Sequence, residues 1–450
     1  MSALRLLLVL LACHLPGRAE RPNIILITTD DQRADALGSA SNGFYHSPVL
    51  DALAARSLVF TDAHAAFALC SPSRATILTG QYGSRNGVNG LGGKLHTPAH
   101  SIAHALKNSG YQTAFSGKWH LQNSPAELGF DWSLVFHSNG RWYGREVSLN
   151  GQKSTPRELI DAHCAKISAR YLREERDPAK PFFLWHCTQL PHMDHRHTWP
   201  ASAENKARFD PARIPLPPTW RGPGEHQPPH LATVRNRSQA LKYGYDQAAK
   251  IREHIRDYAA TIADLDQALA PLFAEIDRQK LRDNTLLIFL GDNGWMLGEH
   301  GLTSKVLAYQ ASTHIPFMIS GPGVNPGKSD ALVSNLDLAP TLLRAAGLPA
   351  AGHHQGLALQ DLWHEDGHPW RRHFLYEATG GYGGVPPTGA LITKEHRLIA
   401  TWEKSPLAPA PFLELYDRLG DPHEQRNLAS DPGRQKLIEK LYLPLREHAW

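Results

Sequence analysis

Cysteine is scarce in this 450-residue sequence, which contains only four. Cys13 lies in the apolar N-terminal segment, and Cys70, Cys164 and Cys187 follow it. So few cysteines exclude a small disulfide-rich scaffold. If the protein is exported, the odd number after the N-terminal segment leaves at least one thiol unpaired. Cys164 and Cys187 are either a disulfide pair or two free buried thiols, and Cys70 needs a separate explanation.

Long runs of basic or apolar residues are also missing beyond the N terminus. The net charge is only +4 and no long basic stretch occurs, so the sequence predicts no nucleic-acid partner. No later segment approaches the roughly 18 apolar residues that a membrane-spanning helix needs. Hydrophobic residues make up 42% of the chain, which is enough to build a sizeable core.

The first 19 residues resemble a cleavable export signal. Arg5 precedes an apolar run, and small residues follow near Ala19. We therefore expect an exported protein, periplasmic or secreted in a bacterium, that loses residues 1–19. Two alternatives stay open: the sequence around Cys13 is similar to a lipoprotein cleavage site, and a lysosomal location would also fit such a signal.

Apolar, β-branched runs indicate the buried strands of a parallel sheet. They cover Ile24 to Thr28, a stretch within Asn284 to Gly294, and a stretch from Pro181 to about His192. Helical patterns such as STPRELIDAHCAKISARYLREE alternate with them. The alternation predicts an α/β fold, with a large, mostly parallel central sheet flanked by helices, over residues 20–345.

The pattern changes after residue 345. Shorter strand-like runs, GALITKEHRLIATW and PFLELYDRL, precede a helical pattern near Gln435 to Leu445. They predict a smaller C-terminal α+β domain, residues 346–450, with a short antiparallel sheet. Between the two regions of strands, the proline-rich stretch 211–229 predicts a long surface loop.

Carboxylates and an amide follow two of the predicted strands. Asp30 and Asp31 come directly after the first, and Asp292 and Asn293 end the one near residue 290. Ligands of open α/β sheets bind beyond the carboxyl ends of the strands. Oxygen donors of this kind suit Ca²⁺ or Mg²⁺. Taken alone, each pair could also only cap a turn, because Asp and Asn are common there.

Two more segments carry lysines and histidines. GYQTAFSGKWH places Lys118 and His120 two residues apart, a spacing that directs both side chains to one face of a strand. GDNGWMLGEHGLTSK adds His300 and Lys305 in a glycine-rich loop. In isolation, solvated lysines and packed histidines would explain these residues.

Two motifs resemble the signatures of the sulfatase family, within the alkaline-phosphatase-like superfamily. ALCSPSRATILTG, from Ala68 to Gly80, resembles the first signature, and GYQTAFSGKWH, from Gly110 to His120, resembles the second. Further similarity extends from NIILITTDDQ to ELYDRLGDPHEQRNLA, over most of the mature chain. The sequence is thus similar to the Cys-type, formylglycine-dependent sulfatases, and its length and Asp-Asp-Gln start favour a bacterial glycan sulfatase.

The resemblance implies a modified residue and a metal ion. In this family a maturation enzyme oxidises the cysteine of a Cys-x-Pro-x-Arg motif to formylglycine, and Cys70 is that cysteine here. One hydroxyl of the hydrated aldehyde attacks sulfur, and the other lets sulfate leave as the carbonyl re-forms. One Ca²⁺ per chain, in preference to Mg²⁺, is expected. The implied metal ligands are Asp30, Asp31, Cys70 in its modified form, Asp292 and Asn293.

The resemblance also implies the catalytic roles. Arg74 would hold a hydroxyl of the modified residue, and Lys118 and Lys305 would bind sulfate oxygens as charge develops. His120 would take a proton from the sulfated diol, and His192, or a lysine near it, would protonate the leaving alcohol.

The expected substrate is a sulfated carbohydrate or an aryl sulfate, and four loop residues are predicted to contact it: Arg141, Trp142, His195 and His300. Trp142 would stack on a sugar ring, and Arg141 or His195 would bind hydroxyls or a carboxylate. Two other functions stay open at this point. One is a phosphonate monoester or phosphodiester hydrolase of the same superfamily, and the other is an inactive protein that binds sulfated glycans.

Overall fold

The computed structural model describes residues 21–222, 226–363, 369–405, 411–448 and 450. The predicted signal, residues 1–19, and the lipoprotein alternative at Cys13 lie outside these residues. Within them the chain forms one large sheet, one small sheet and a two-stranded ribbon, with helices packed against the sheets.

The strands and helices follow one another along the whole described chain. The strands are β1 Asn23–Asp30, β2 Leu58–His64, β3 Gln112–Lys118, β4 Trp132–Phe136, β5 Val147–Leu149, β6 Gln152–Ser154, β7 Phe182–Pro191, β8 Thr285–Gly291, β9 Met296–Leu297, β10 Thr303–Ser304, β11 Phe317–Ser320, β12 Gly327–Ser334, β13 His373–Ala378, β14 Thr388–Thr393, β15 His396–Thr401 and β16 Phe412–Asp417. The helices are α1 Pro48–Ala54, α2 Cys70–Thr79, α3 Gly83–Asn86, α4 Ile102–Asn108, α5 Ile160–Arg170, α6 Ala203–Lys206, α7 Arg235–Lys242, α8 Ala248–Arg278, α9 Gln310–Thr313, α10 Leu338–Ala345 and α11 Gln435–Glu447.

The large sheet has ten strands in the order β12-β2-β11-β8-β1-β7-β3-β4-β5-β6. Its five central strands, β8 to β4 in that order, all run parallel. Antiparallel pairing occurs where β11 joins its neighbours and at the β5-β6 edge. The predicted strands are β1, β7 and β8, and the predicted parallel α/β sheet is confirmed. The parallel arrangement brings the carboxyl ends of β1, β3, β7 and β8 to one edge.

Both faces of the central sheet are buried. Alternate residues of β1 point to opposite faces, so Ile25 and Ile27 join one apolar cluster while Ile24 and Leu26 join another. The first cluster includes the apolar side of α8, and the second includes α4 and α10. This double covering explains why these strands read as unbroken apolar runs. Among the described residues, no helix is both long enough and apolar enough to cross a membrane.

The small sheet is the antiparallel meander β13-β14-β15-β16. One of its faces packs against α11 through residues such as Leu398, Leu415 and Leu441. The other face packs against the segment that leads into α2, where the Phe67 ring lies 6.1 Å from the Tyr376 ring. The C-terminal α+β region therefore supports the segment that carries Cys70. The boundary at residue 345 stays a prediction.

Candidate active site

Cys70 is the first residue of α2, and every residue of this helix is buried. Leu69 before it is extended, and the helix ends at Gly80, whose φ of +62° favours glycine. The Cys70 thiol donates to Asp30 Oδ1 at 3.2 Å and accepts from Lys305 Nζ at 2.8 Å. Burial, with the nearby Asp30 charge, raises the pKa of the Cys70 thiol to about 12. The thiol is therefore protonated at neutral pH and is a poor nucleophile.

The four predicted oxygen ligands meet beside Cys70, because β1 and β8 are neighbours. All four side chains are buried. The Asp31 amide donates to Asp292 Oδ1 at 3.2 Å, and Asn293 Nδ2 donates to Asp31 Oδ1 at 2.7 Å. Asp31 adopts a φ of +63°, which turns its carboxylate back toward the end of the strand. Ligand atoms of Asp30, Cys70 and Asp292 lie within 4.8 Å of one another.

The charges in this cluster fit a divalent cation. Burial, opposed by Lys305, raises the pKa of Asp31 to about 8, and burial with the Asp30 charge also raises the pKa of Asp292. Within the described part of the chain, Asp31 Oδ2 is buried and accepts no hydrogen bond. His192 also offers a ring nitrogen near Asp30 and Asp31, but oxygen donors dominate the described cluster. Crowded carboxylates with an unpartnered oxygen match the preference of Ca²⁺ or Mg²⁺.

Three cationic side chains surround the carboxylates. Arg74 donates to the Lys118 carbonyl at 2.6 Å and to Asp292 Oδ2 at 3.2 Å. Lys118 Nζ pairs with Asp30, and Lys305 Nζ pairs with Asp31. Although burial opposes it, the ammonium groups of Lys118 and Lys305 hold the pKa of Asp30 well below its usual range. Lys118, at the end of β3, and Lys305, in the loop after β10, face residue 70 from different elements, as a clamp on an anion bound there would require.

Two histidines complete the cluster at the ends of β3 and β7. Burial and the Lys118 charge lower the pKa of His120 to about 2, and the same two causes lower the pKa of His192 to about 3. His192 Nδ1 lies 2.7 Å from the Met193 carbonyl oxygen, which can only accept, so Nδ1 carries the proton. The free Nε2 is 3.5 Å from Asp31 Oδ2. Both imidazoles are neutral, a state suited to accepting a proton.

Two of the predicted substrate contacts fall on buried side chains. Trp142 is 2% exposed and donates its indole N–H to the His192 carbonyl at 3.2 Å, so its ring is not free to stack on a sugar. His300 is 1% exposed, and its ring packs 4.3 Å from that of Tyr309. Arg141 and His195 are exposed, and their substrate contacts stay predictions.

Two residues near the cluster were not predicted. Asn139, in the loop after β4, accepts from Lys118 Nζ at 2.5 Å. Trp295 lies beside Lys305, whose Nζ is 5.8 Å from the centre of the ring. Asn139 follows a central parallel strand, as Asp30 and Asp292 do, so the same rule of strand ends would have found it. Cys164 and Cys187 are free and buried, which excludes their pairing in this structure.

Comparison with known proteins yields two matching family models. The model described as "Sulfatase" matches residues 22–348. The model described as "N-sulphoglucosamine sulphohydrolase, C-terminal" matches residues 298–449. The first match alone spans well over half of the chain and includes every residue of the cluster.

Curated relatives resemble the chain over most of its length. An N-acetylglucosamine-6-O-sulfatase of Bacteroides thetaiotaomicron is 26% identical and is aligned over 98% of this chain and 88% of its own. A choline-sulfatase of Rhizobium meliloti is 27% identical, over 92% of this chain and 83% of its own.

Solved structures show the same fold. BT4656 in complex with its substrate D-glucosamine-2-N,6-O-disulfate matches with a TM-score of 0.83 and 25% identity, over 95% of this chain and 97% of that chain. A phosphonate monoester hydrolase of Agrobacterium radiobacter matches with a TM-score of 0.74 and 21% identity, over 95% of each chain.

Proposed function

The chain belongs to the sulfatase family and is a sulfuric ester hydrolase, and we propose that it removes sulfate from a sulfated carbohydrate. We further propose that a formylglycine made from Cys70 and one bound Ca²⁺ take part. One observation carries this proposal. A buried, protonated thiol lies between two lysine ammonium groups at the edge of a carboxylate cluster. Such a thiol is unreactive as it stands, but its position is the one that a nucleophile requires.

The cluster has the residues to hold both groups. Asp30, Asp31, Asp292 and Asn293 would hold Ca²⁺, which supplies Lewis-acid polarisation and a template for the anion. A hydrated aldehyde at position 70 supplies one hydroxyl for attack on sulfur and a second that lets sulfate leave as the carbonyl re-forms.

The cationic side chains would stabilise the negative charge of the sulfate group and of the carboxylates. Lys118 and Lys305 approach residue 70 at 3.8 Å and 2.8 Å, measured from each Nζ to Sγ. From these positions they would bind sulfate oxygens as negative charge builds in the transition state. Arg74, paired with Asp292, would fix the orientation of residue 70 and offset the carboxylate charge.

The two histidines would move protons. His120 is neutral and its Nδ1 has no hydrogen-bond partner, so it can accept a proton from the second hydroxyl. His192 must carry a proton on Nε2 to protonate the leaving alcohol, because its Nδ1 proton is held by the Met193 carbonyl. A bound sulfate ester would bring negative charge next to the imidazole, which raises its pKa and favours uptake of this proton from water.

The substrate class rests on the relatives. Two curated sulfatases named for N-acetylglucosamine 6-sulfate, from Bacteroides thetaiotaomicron and from human, resemble this chain at 26% and 27% identity. The test is a desulfation panel of defined glycosaminoglycan and algal oligosaccharides, beginning with N-acetylglucosamine 6-sulfate. Release of inorganic sulfate from a sugar supports the proposal. Hydrolysis of 4-nitrophenyl sulfate without release from any sugar would contradict the carbohydrate assignment.

A second candidate is hydrolysis of phosphonate monoesters or phosphodiesters, because the hydrolase of Agrobacterium radiobacter shares the fold. Comparing 4-nitrophenyl sulfate with bis(4-nitrophenyl) phosphate separates the two functions, since both release the same leaving group. A higher kcat/KM for the diester would favour the second candidate. An inactive glycan-binding protein is disfavoured because every predicted catalytic position carries a competent side chain at the cluster.

Maturation and export belong to the same proposal. A formylglycine-generating enzyme would act on Cys70, and the protein would be exported to a compartment where calcium is available. Mass spectrometry of the peptide that contains Cys70, from protein produced in its native host, tests the modification. An unmodified thiol there would contradict it.

A further inference from the structure

The loop of residues 137–140 leaves the end of β4 beside the active site. Asn139 in this loop is exposed, yet its Oδ1 accepts a hydrogen bond from the buried Lys118 Nζ at 2.5 Å. Lys118 also pairs with Asp30, and its Nζ lies 3.8 Å from Cys70 Sγ. An ammonium group has three N–H bonds in a fixed tetrahedral arrangement. With two of them directed to Asp30 and Asn139, the third points to residue 70.

The side chain that holds this loop is Arg145. Its Nη2 donates to the carbonyls of His137 at 2.5 Å and Ser138 at 2.8 Å, and its Nη1 donates to Gln189. The guanidinium also covers the Phe136 ring, with 4.3 Å from Cζ to the ring centre. The fork of Arg145 thus holds the two residues that precede Asn139.

Gln189 completes the support and connects it to β7. Its Nε2 donates to the Gly140 carbonyl at 2.8 Å, so Arg145 and Gln189 together hold both sides of Asn139. The backbone N–H of Gln189 donates to the buried Asp161 carboxylate at 2.7 Å. Gln189 lies in β7, three residues before His192. The loop is therefore attached to the strand that leads to a predicted catalytic residue.

Arg145 is buried and forms no direct ion pair with a described residue, although the buried Asp161 carboxylate lies close enough to favour its charge. Its exposure is 9%, and among the described residues none of its hydrogen bonds or ion pairs is to an Asp or Glu side chain. Burial lowers its pKa to about 10, so it stays charged at neutral pH. A buried charge is costly unless its hydrogen bonds are satisfied. Three hydrogen bonds offset this cost for Arg145. Two of them hold the loop of residues 137–140, and the third holds Gln189.

We propose that Arg145 and Gln189 are positioning residues for sulfate transfer, which act by holding Asn139 against the ammonium group of Lys118. The inference rests on the proposed role of Lys118 in binding a sulfate oxygen. Asn139 aims the free N–H of Lys118 at the position of that oxygen. The guanidinium fork is required, because Nη2 reaches the two loop carbonyls while the separate Nη1 reaches Gln189, whereas a lysine at position 145 would keep the charge on a single nitrogen.

Arg176 provides a matched control at the opposite, amino end of β7. Its guanidinium donates to the Leu172 carbonyl at 2.9 Å and to Gln279 Oε1 at 2.9 Å. It also covers a phenylalanine, with 5.2 Å from Cζ to the centre of the Phe182 ring. Arg176→Lys therefore removes the same kinds of contact as Arg145→Lys, but far from the cluster.

The experiment compares Asn139→Ala, Arg145→Lys, their double variant and Arg176→Lys in the full chain with calcium. For a sulfate ester that the wild type hydrolyses, we expect Asn139→Ala and Arg145→Lys each to lower kcat about tenfold to a hundredfold. The double variant should have about the same kcat as Asn139→Ala alone, because both substitutions remove the same function, the positioning of Lys118. Arg176→Lys should stay within about twofold of the wild type.

The affinity for inorganic sulfate, measured by isothermal titration calorimetry, gives a readout without turnover. We expect severalfold weaker binding in Asn139→Ala and Arg145→Lys and no change in Arg176→Lys. Equal kcat and sulfate affinity in Arg145→Lys and Arg176→Lys would overturn the proposal. A double variant whose loss of kcat equals the product of the two single-variant losses would also overturn it. A wild type that binds sulfate but hydrolyses no sulfate ester contradicts the proposed function instead, and the affinities still test the loop.

Discussion

The ammonium nitrogen of Lys305 lies 2.8 Å from the sulfur of Cys70. Lys305 belongs to the loop after the β9-β10 ribbon, whereas Cys70 begins α2, so two distant parts of the chain form this contact. Even with the cation so close, burial keeps the thiol protonated. The site therefore favours an anion beside residue 70 without making the thiol itself reactive.

Replacing Cys70 with alanine should abolish turnover and leave the fold intact. The side chain is small, and the Arg74 and Asp292 contacts beneath it do not depend on the sulfur. We expect kcat to fall by about 10⁴-fold or more, as for the loss of other catalytic nucleophiles. The melting temperature in calcium should change by only a few degrees. Retained activity in Cys70→Ala would show that residue 70 does not supply the nucleophile.

Calcium should stabilise the protein, and Asp31→Asn should reverse the order of stabilities. A ligand at a hundred times its Kd stabilises the folded state by about 2.7 kcal/mol. In EDTA we expect the Asp31→Asn variant to be at least as stable as the wild type, because burial raises the pKa of Asp31 and favours an uncharged group there. In calcium the wild type should be the more stable.

Thermal unfolding with and without calcium checks this order. Asp330→Asn is the control, because Asp330 is 74% exposed and pairs only with Lys394 at the surface. It should keep the full calcium effect. If calcium raised the melting temperature of Asp31→Asn by as much as that of the wild type, Asp31 would not be a calcium ligand.

Lys305→Met should lower kcat strongly while keeping the length of the side chain. Removal of one preorganised donor to a developing charge costs about 10² to 10³ in kcat. Lys107→Met is the control, since Lys107 forms an exposed pair with Asp131 and such pairs contribute little. Steady-state kinetics on one sulfate ester separates the two variants. Similar kcat values for both would argue against a role of Lys305 in the transition state.

Glu414 should make the free energy of unfolding decrease as the pH rises from about 5 to 8. Buried histidines such as His120 and His192, whose pKa values are lowered, contribute in the opposite sense below about pH 6.5. Burial raises the pKa of this carboxyl to about 7, although the Tyr309 and Tyr416 hydroxyls donate to it. Its unfolded pKa is about 4.3, so the folded state binds the extra proton between these values. The Glu414 carboxyl therefore favours the folded protein at low pH, and this contribution falls by about 3 kcal/mol between pH 5 and pH 8.

Glu414→Gln should remove this contribution, because a neutral amide binds no proton in this range, so the free energy of unfolding at pH 8 relative to pH 5 should rise by about 3 kcal/mol compared with the wild type. Urea unfolding at pH 5 and pH 8 measures the difference in the free energy of unfolding. Glu395→Gln, at an exposed position on the turn between β14 and β15, is the control and should keep the wild-type slope. An unchanged slope in Glu414→Gln would place the titration elsewhere.

The cluster could be predicted from sequence because its members follow strands. Asp30, Lys118, His192 and Asp292 lie at or just after the ends of parallel strands, and the topology alone brings such positions together. Loop residues follow no such rule. Trp142 was predicted at the rim because aromatic loop residues often bind sugars, but its indole N–H bonds to the His192 carbonyl and the ring is buried.

The supporting loop could not be predicted for the same reason. Arg145, Gln189 and Gly140 are separated by five to 49 positions in sequence, and their contacts depend on how β4 and β7 are spaced in the finished sheet. Periodicity reports which face of a strand is buried, but it carries no information on contacts between loops.

The complete burial of α2 would limit when Cys70 could be converted to formylglycine. If residue 70 becomes formylglycine, the maturation enzyme must hold the Cys-x-Pro-x-Arg segment in its own active site, and the folded protein exposes none of that segment. Oxidation of residue 70 must then precede the burial of α2 during folding. Conversion and folding compete in time, and a chain that folds first keeps its thiol. The fraction of active molecules in a preparation would thus be a kinetic quantity, which rises when folding is slowed or when more maturation enzyme is present.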